Sequence, residues 1–174
     1  HGGFVNVYSE AGKGSLFKVY IPTVGQIALT EGRSADVEMP RGRGETILVV
    51  DDEAAIREIT KGTLEAFGYS ALVASDGTEA IALYAQHQAK IAVVLTDMMM
   101  PYMDGVATIR ALKRINPVVK VVACSGLAAN GKTVEIGTLE ATAFLTKPYT
   151  AQSLLKVLAR VLRGESSAES SGGE

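Results

Sequence analysis

A chain of 174 residues with 47% hydrophobic and 21% charged residues can hold one soluble domain of about 110–130 residues plus extra segments. Its formal net charge of −2 offers no basic footprint for nucleic acid or an anionic membrane, and a single cysteine, Cys124, excludes an internal disulfide and fits a reducing cytoplasm. No apolar run approaches the roughly 18–20 residues of a membrane span and no signal-peptide pattern opens the chain, so a cytoplasmic location without membrane contact is expected.

Residues 1–24 read as a β-hairpin: Phe4 to Tyr8, a turn through Glu10-Ala11-Gly12-Lys13-Gly14, then Leu16 to Pro22. Phe17, Val19 and Ile21 alternate with Leu16, Lys18 and Tyr20, the period of a strand. A lone two-stranded hairpin is marginal in water, so this one is expected to be part of a larger sheet. Residues 25–45 lack sustained periodicity and carry Gly25, Gly32, Pro40, Gly42 and Gly44, which predicts a flexible linker. The tail at 164–174 is Ser, Gly, Glu and Ala, a composition expected to stay disordered.

Residues 46–163 alternate strand and helix signals. Strand Thr46–Val50 precedes a helix with Ile56, Ile59, Thr63 and Phe67 on one face, ended by Gly68. Strand Ser70–Ala74 leads to a helix through Ala80, Ile81, Leu83 and Tyr84, with Asp76 as N-cap and Glu79 three residues on. Strand Ile91–Thr96 leads through Pro101 to a helix at Gly105–Ile115. Strand Val118–Cys124, a short helix near Lys132–Leu139, strand Thr142–Thr146 and helix Ala151–Leu162 complete the domain. Five βα units predict an α/β fold, a doubly wound five-stranded parallel sheet with helices on both faces.

The acids follow the strands. Ile47-Leu48-Val49-Val50 is a buried strand that runs directly into Asp51-Asp52-Glu53, and Ile91–Thr96 delivers Asp97. Adjacent negative charges cannot sit unpaired in a strand core, so they must lie at its exit, in water or facing a cation. Three acids at the ends of two strands suit a hard, oxygen-seeking ion such as Mg²⁺. Ser125 and Lys147 end two further strands, so every polar candidate falls on the sheet edge where ligands of open parallel sheets collect.

Residues 46–163 resemble the receiver domain of two-component response regulators. The matching residues are Asp51-Asp52-Glu53, Asp97 with Pro101 and Gly105 after it, Ser125, and Phe144-Leu145-Thr146-Lys147-Pro148. The resemblance implies a flavodoxin-like sheet of strand order 2-1-3-4-5. It implies that Asp97 is the nucleophile that becomes an aspartyl phosphate, with Lys147 and Ser125 contacting phosphoryl oxygens. Mg²⁺ (or Mn²⁺) would be held by Asp51, Asp52, Asp97 and the Met99 backbone carbonyl, Asp51 acting directly or through a water. Ser125 and Phe144 would form a switch, biasing a loop at Gly126–Thr138. Apolar Met99 and Leu127, at positions that govern access of the hydrolytic water, imply slow self-dephosphorylation.

Each residue taken alone has a plainer reading. Asp51 or Asp52 can cap a helix, Ser125 can serve a turn before Gly126, Lys147 can be a surface lysine, and Phe144 can be core. Cys124 reads as a small buried hydrophobe, and Met98-Met99-Met100 as loop and core packing. What favours a site is the ordered set on one edge.

The stretch His1-Gly2-Gly3-Phe4-Val5-Asn6-Val7-Tyr8-Ser9-Glu10-Ala11-Gly12-Lys13-Gly14-Ser15-Leu16-Phe17, with Ile21-Pro22 after it, resembles the last hairpin of a histidine kinase ATP-binding domain. That resemblance implies the C-terminal part of a hybrid sensor histidine kinase. The helix, glycine boxes and lid that hold nucleotide precede this stretch in such kinases, so ATP binding by this chain is not expected. Gly12-Lys13-Gly14-Ser15 lacks the leading glycine of a phosphate loop, and Gly42-Arg43-Gly44 precedes its strand rather than following it. Neither His1 nor His87 suits the phosphoacceptor role of the kinase.

The expected function is therefore Mg²⁺-dependent transfer from a phosphohistidine to Asp97, in a phosphorelay. The donor would be a kinase dimerisation domain in cis or in trans, or a histidine phosphotransfer protein, and homodimerisation stays open. The alternative is a receiver that is not phosphorylated and serves as a docking or dimerisation module. An aspartate-nucleophile phosphatase usually has a second acid two residues after the nucleophile, where Met99 stands, and a nucleotide-binding Rossmann domain needs glycines where Asp51-Asp52-Glu53 stands.

Overall fold

β-Branched runs bounded by turn residues become strands, and amphipathic stretches between them become helices. A computed structural model describes residues 4–10, 14–20, 39–126 and 140–164, in two units divided between Glu38 and Met39. The first unit is a hairpin of β1 (Phe4–Glu10) and β2 (Gly14–Tyr20), antiparallel, with Phe4 opposite Tyr20 and Glu10 opposite Gly14. His1, Ile21-Pro22, the linker through residue 38, the helix expected at Lys132–Leu139, Leu127, the switch loop beyond Gly126 and the tail from 165 lie outside the described residues.

The second unit runs β3 (Thr46–Val50), α1 (Ala54–Ala66), β4 (Ser70–Ala74), α2 (Gly77–His87), β5 (Ile91–Asp97), α3 (Gly105–Ile115), β6 (Val121–Gly126), β7 (Ala143–Lys147) and α4 (Ala151–Arg163). Its five strands are all parallel, in the order β4-β3-β5-β6-β7, the order expected from the resemblance. Alternation along β3 explains its unbroken apolar run. Ile47 and Val49 face a core closed by Leu64 of α1 and Leu154, Leu155 and Leu158 of α4. Leu48 and Val50 face a second core closed by Ala80 and Tyr84 of α2 and Ile109 and Leu112 of α3. A sheet covered on both faces can be apolar on both.

Local details depart from the sequence reading in three places. The buried stripe of α1 is Thr60 and Leu64, whereas Ile59 is 66% exposed. Thr60 tolerates burial because its hydroxyl is 3.3 Å from the Tyr149 hydroxyl, while Thr63 spends its own on the Ile59 carbonyl. Asp76 caps α2 by accepting from the Thr78 and Glu79 amides, but Glu79 reaches back to the Ser75 amide and hydroxyl rather than to Asp76. Strand β6 begins at Val121, not Val118, whose side chain is exposed.

The end of the stretch read as a linker is bound to the domain. The Gly42 amide donates to the Phe67 carbonyl at 2.9 Å, and the Gly44 amide to the Gly68 carbonyl at 2.8 Å. The Arg41 guanidinium lies 5.7 Å from the centre of the Phe67 ring. A methyl group at Gly42 would stand 2.5 Å from the Tyr69 ring, so glycine is what lets the backbone lie flat on that aromatic. Gly42, one of the glycines that suggested flexibility, serves close approach here, and Gly44 serves a positive φ of 92°.

Candidate functional site

The reversal of strand order falls between β3 and β5, and the acids gather at the carboxyl ends of those two strands. Register pairs Val50 with Thr96, and Asp97 with Cys124 of β6, so Asp51 and Asp97 leave neighbouring strands side by side. Both are buried, whereas Asp52 is exposed.

Asp51 is held through every polar group it has. Its amide donates to the Ala74 carbonyl at 3.2 Å, and its Oδ1 accepts from the Glu53 amide at 2.9 Å. Its Oδ2 accepts from Lys147 Nζ at 2.6 Å, and its carbonyl accepts from Arg57 Nη1. Asp97 accepts from the Met99 amide at Oδ1, 3.3 Å away, and from Lys147 Nζ at Oδ2, 2.8 Å away. Lys147 thus bridges two carboxylates across the crevice. Partial burial opposes its charge, but the hydrogen bonds to Asp51 and Asp97 outweigh that cost and hold the ammonium above the ordinary lysine range. Three carboxylates with one lysine still leave an excess of negative charge.

Burial pushes the Cys124 thiol up to about 12, so it stays protonated and acts as a small core residue, as the sequence suggested. Met98 and Met100 are core, and Met99 between them is 80% exposed beside Asp97. The loop is tight. The Met103 amide donates to the Pro101 carbonyl at 2.8 Å around Tyr102, whose φ of 66° is unusual for a bulky residue. Gly105 is obligatory behind it, since a methyl there would meet the Asp97 carbonyl oxygen at 2.4 Å.

The remaining expected residues are on the same edge but do not all converge. Ser125 of β6 follows Cys124, half-buried, and no hydrogen bond joins it to Asp97 or Lys147 among the described residues. Phe144 is half-buried and packs against the second core. Three contacts were not anticipated from sequence: the Lys147 pairs with Asp51 and with Asp97, and the Arg57 contact. An arginine one helical turn past a strand-end acid was the available signal.

The site suits a metal. Asp51, Asp52 and Asp97 can each turn one carboxylate oxygen to within 4.8 Å of the others, an all-oxygen donor set of the kind Mg²⁺ prefers. Asp52 has no hydrogen-bond or ion-pair partner among the described residues, which leaves its oxygens available to an ion.

This sheet order, with acids and a lysine at the crevice, defines a flavodoxin-like α/β domain with an acidic cluster at its switch point. The chain belongs to the response regulator receiver domain family, whose model matches residues 47–159. It is 30% identical to the chemotaxis protein CheY of Thermotoga maritima, covering 68% of this chain and 98% of that protein. It is 28% identical to the sensor kinase CckA of Brucella abortus over 92% of this chain but 18% of the kinase, so it spans under a fifth of that relative. Among solved structures, a response regulator receiver domain protein from Clostridium thermocellum superposes with a TM-score of 0.64 at 32% identity, covering 69% of this chain and 95% of that one. Receiver domains bind Mg²⁺ through acidic residues and accept phosphoryl groups from histidine kinases or phosphotransfer proteins. No helix among the described residues is long and apolar enough to cross a membrane.

Proposed function

We propose that Asp97 accepts a phosphoryl group from a phosphohistidine in a phosphorelay. The single observation that carries this reading is the Lys147 ammonium shared between Asp51 and Asp97 at the switch point of a receiver fold. In the transfer, the N–P bond of the phosphohistidine breaks as a bond forms from a carboxylate oxygen of Asp97 to phosphorus, and the departing imidazole keeps the bonding pair. Lys147 is placed to follow the charge from the carboxylate to the phosphoryl oxygens, with Ser125 as a hydroxyl donor on the same edge. When bound, Mg²⁺ supplies charge neutralisation, with Asp51, Asp52, Asp97 and the Met99 carbonyl as its ligands. Ser125 and Phe144 would carry the switch, and exposed Met99 would slow hydrolysis of the product.

The parent is proposed to be a hybrid sensor kinase. The alignment with the CckA kinase covers more of the chain than the receiver match does, and a β-hairpin precedes the receiver. The donor would then be that kinase's own dimerisation domain, in cis or in trans, or a phosphotransfer protein.

Intact mass after incubation with acetyl phosphate tests the chemistry. The expected result is a gain of one phosphoryl group that requires Mg²⁺ and is absent in Asp97→Asn. No gain, with Mg²⁺ or without it, would favour a docking module over a phosphoacceptor.

A further inference from the structure

The peptide that joins Asp51 to Asp52 sits where the sheet stops supporting the chain. Strand β4 ends at Ala74, whose carbonyl takes the Asp51 amide. The Asp51 carbonyl therefore points past the last ladder position of that neighbour. It is the oxygen of the very peptide unit whose nitrogen belongs to Asp52. Asp52 itself is exposed and has no side-chain partner among the described residues, so no contact of its own steadies it and the peptide it hangs from is the nearest point of control.

Arg57, one turn into α1, donates from Nη1 to that carbonyl. It is half-buried, and its own amide closes the first helical bond to the Glu53 carbonyl at 3.1 Å. The arginine is thus tied to α1 by its backbone and to the exit of β3 by its side chain. A planar guanidinium in such a place is a stiff clamp.

We propose that Arg57 is a positioning residue of the metal site: by holding the Asp51 carbonyl it fixes the Asp51–Asp52 peptide plane, so that both carboxylates face one ion. The inference rests on the phosphoacceptor reading above and adds to it a residue outside the ligand set. Arg57 touches neither ion nor phosphoryl group. Its effect passes through the backbone, as outer partners of metal ligands do.

The test compares Arg57→Met and Arg57→Lys with the unaltered chain, by Mg²⁺ titration calorimetry and by NMR order parameters of the Asp52 amide without metal. Methionine keeps helix propensity and side-chain bulk, so melting temperatures should stay close. Expected for R57M is roughly tenfold weaker Mg²⁺ binding, the lower end of what outer partners contribute. The Asp52 amide order parameter should fall from about 0.85 towards about 0.6, with R57K between the two proteins in both readouts. Mg²⁺ binding in R57M as tight as in the unaltered chain, or tighter, overturns the inference, because the arginine would then act only as a repelling charge. Weaker binding with an unchanged Asp52 order parameter overturns it too. No Mg²⁺ binding by the unaltered chain overturns the metal-site reading itself, and this inference with it.

Discussion

The two edges of the five-stranded sheet are built from opposite materials. At the carboxyl edge, Asp51, Asp52, Asp97 and Lys147 crowd together, Met99 is exposed, and Tyr102 is held at positive φ. At the amino edge the bonds are mostly between neutral partners. Gly42 and Gly44 lie along the α1–β4 turn, Asn116 donates to the Tyr84 hydroxyl at 2.9 Å, and Val121 and Thr142 exchange bonds of 3.1 and 2.8 Å. Lysines there serve backbone carbonyls: Lys120 caps α4 through that of Leu162 at 3.0 Å, and Lys113 donates to that of Pro117 at 3.2 Å. The difference teaches that a parallel sheet can keep its charged, strained and reactive groups at one end because the other end is satisfied locally.

Replacing Lys147 by Met should break the comparison most visibly. Removal of the shared cation leaves Asp51 and Asp97 facing each other, both largely out of water. Phosphoryl gain from acetyl phosphate should fall on the order of 100-fold, the loss typical of removing one preorganised charge donor. Without metal the melt should show a loss of about 1–3 kcal/mol, below the full value for a buried pair because the lysine is partly exposed. Mg²⁺ should restore part of that stability, and a melt indifferent to the ion would contradict this account.

Gly42→Ala probes the other edge. Its methyl must push the Tyr69 ring aside, at a cost of about 1–3 kcal/mol. Urea unfolding should report that loss while the rate of phosphoryl gain stays within about twofold; equal damage to both would mean that the edges are not separable.

The smallest effect concerns acid. The Ser75 amide, then its hydroxyl, hold Glu79 below its ordinary value of 4.5. A lowered folded-state value gives stability that is present above that range and is lost as the pH falls through the folded value. Ser75→Ala should therefore be slightly less stable than the parent at pH 6, and the gap should narrow on acidification towards pH 3. A gap that does not change with pH would assign the loss to packing. Solvent screens this exposed pair, so the difference is modest.

How legible all this was depended on the range of the forces involved. The strand runs and the placement of Asp51, Asp52, Asp97 and Lys147 on one edge were readable, because β periodicity and strand ends are local properties. The exposed face of α1 was misread, since Ile59 is the more apolar residue and only the distant Tyr149 explains why Thr60 is the one inside. The bound segment at 41–45 was hidden for a similar reason: glycine composition looks the same in a loose linker and in backbone pressed on a ring. Nor could spacing show that Lys147 would serve Asp51 as well as Asp97, a pairing across 96 residues of chain.

The burial of Cys124 has a practical corollary. It is the sole cysteine of the chain, sits in the core and keeps its proton at neutral pH, so thiol-directed dyes and spin labels should find the folded protein silent. A cysteine introduced at the fully exposed Tyr102 would then be the one reactive handle, placed on the tight turn beside the acidic crevice. The native chain is its own blank for optical reporters of ion and phosphoryl binding.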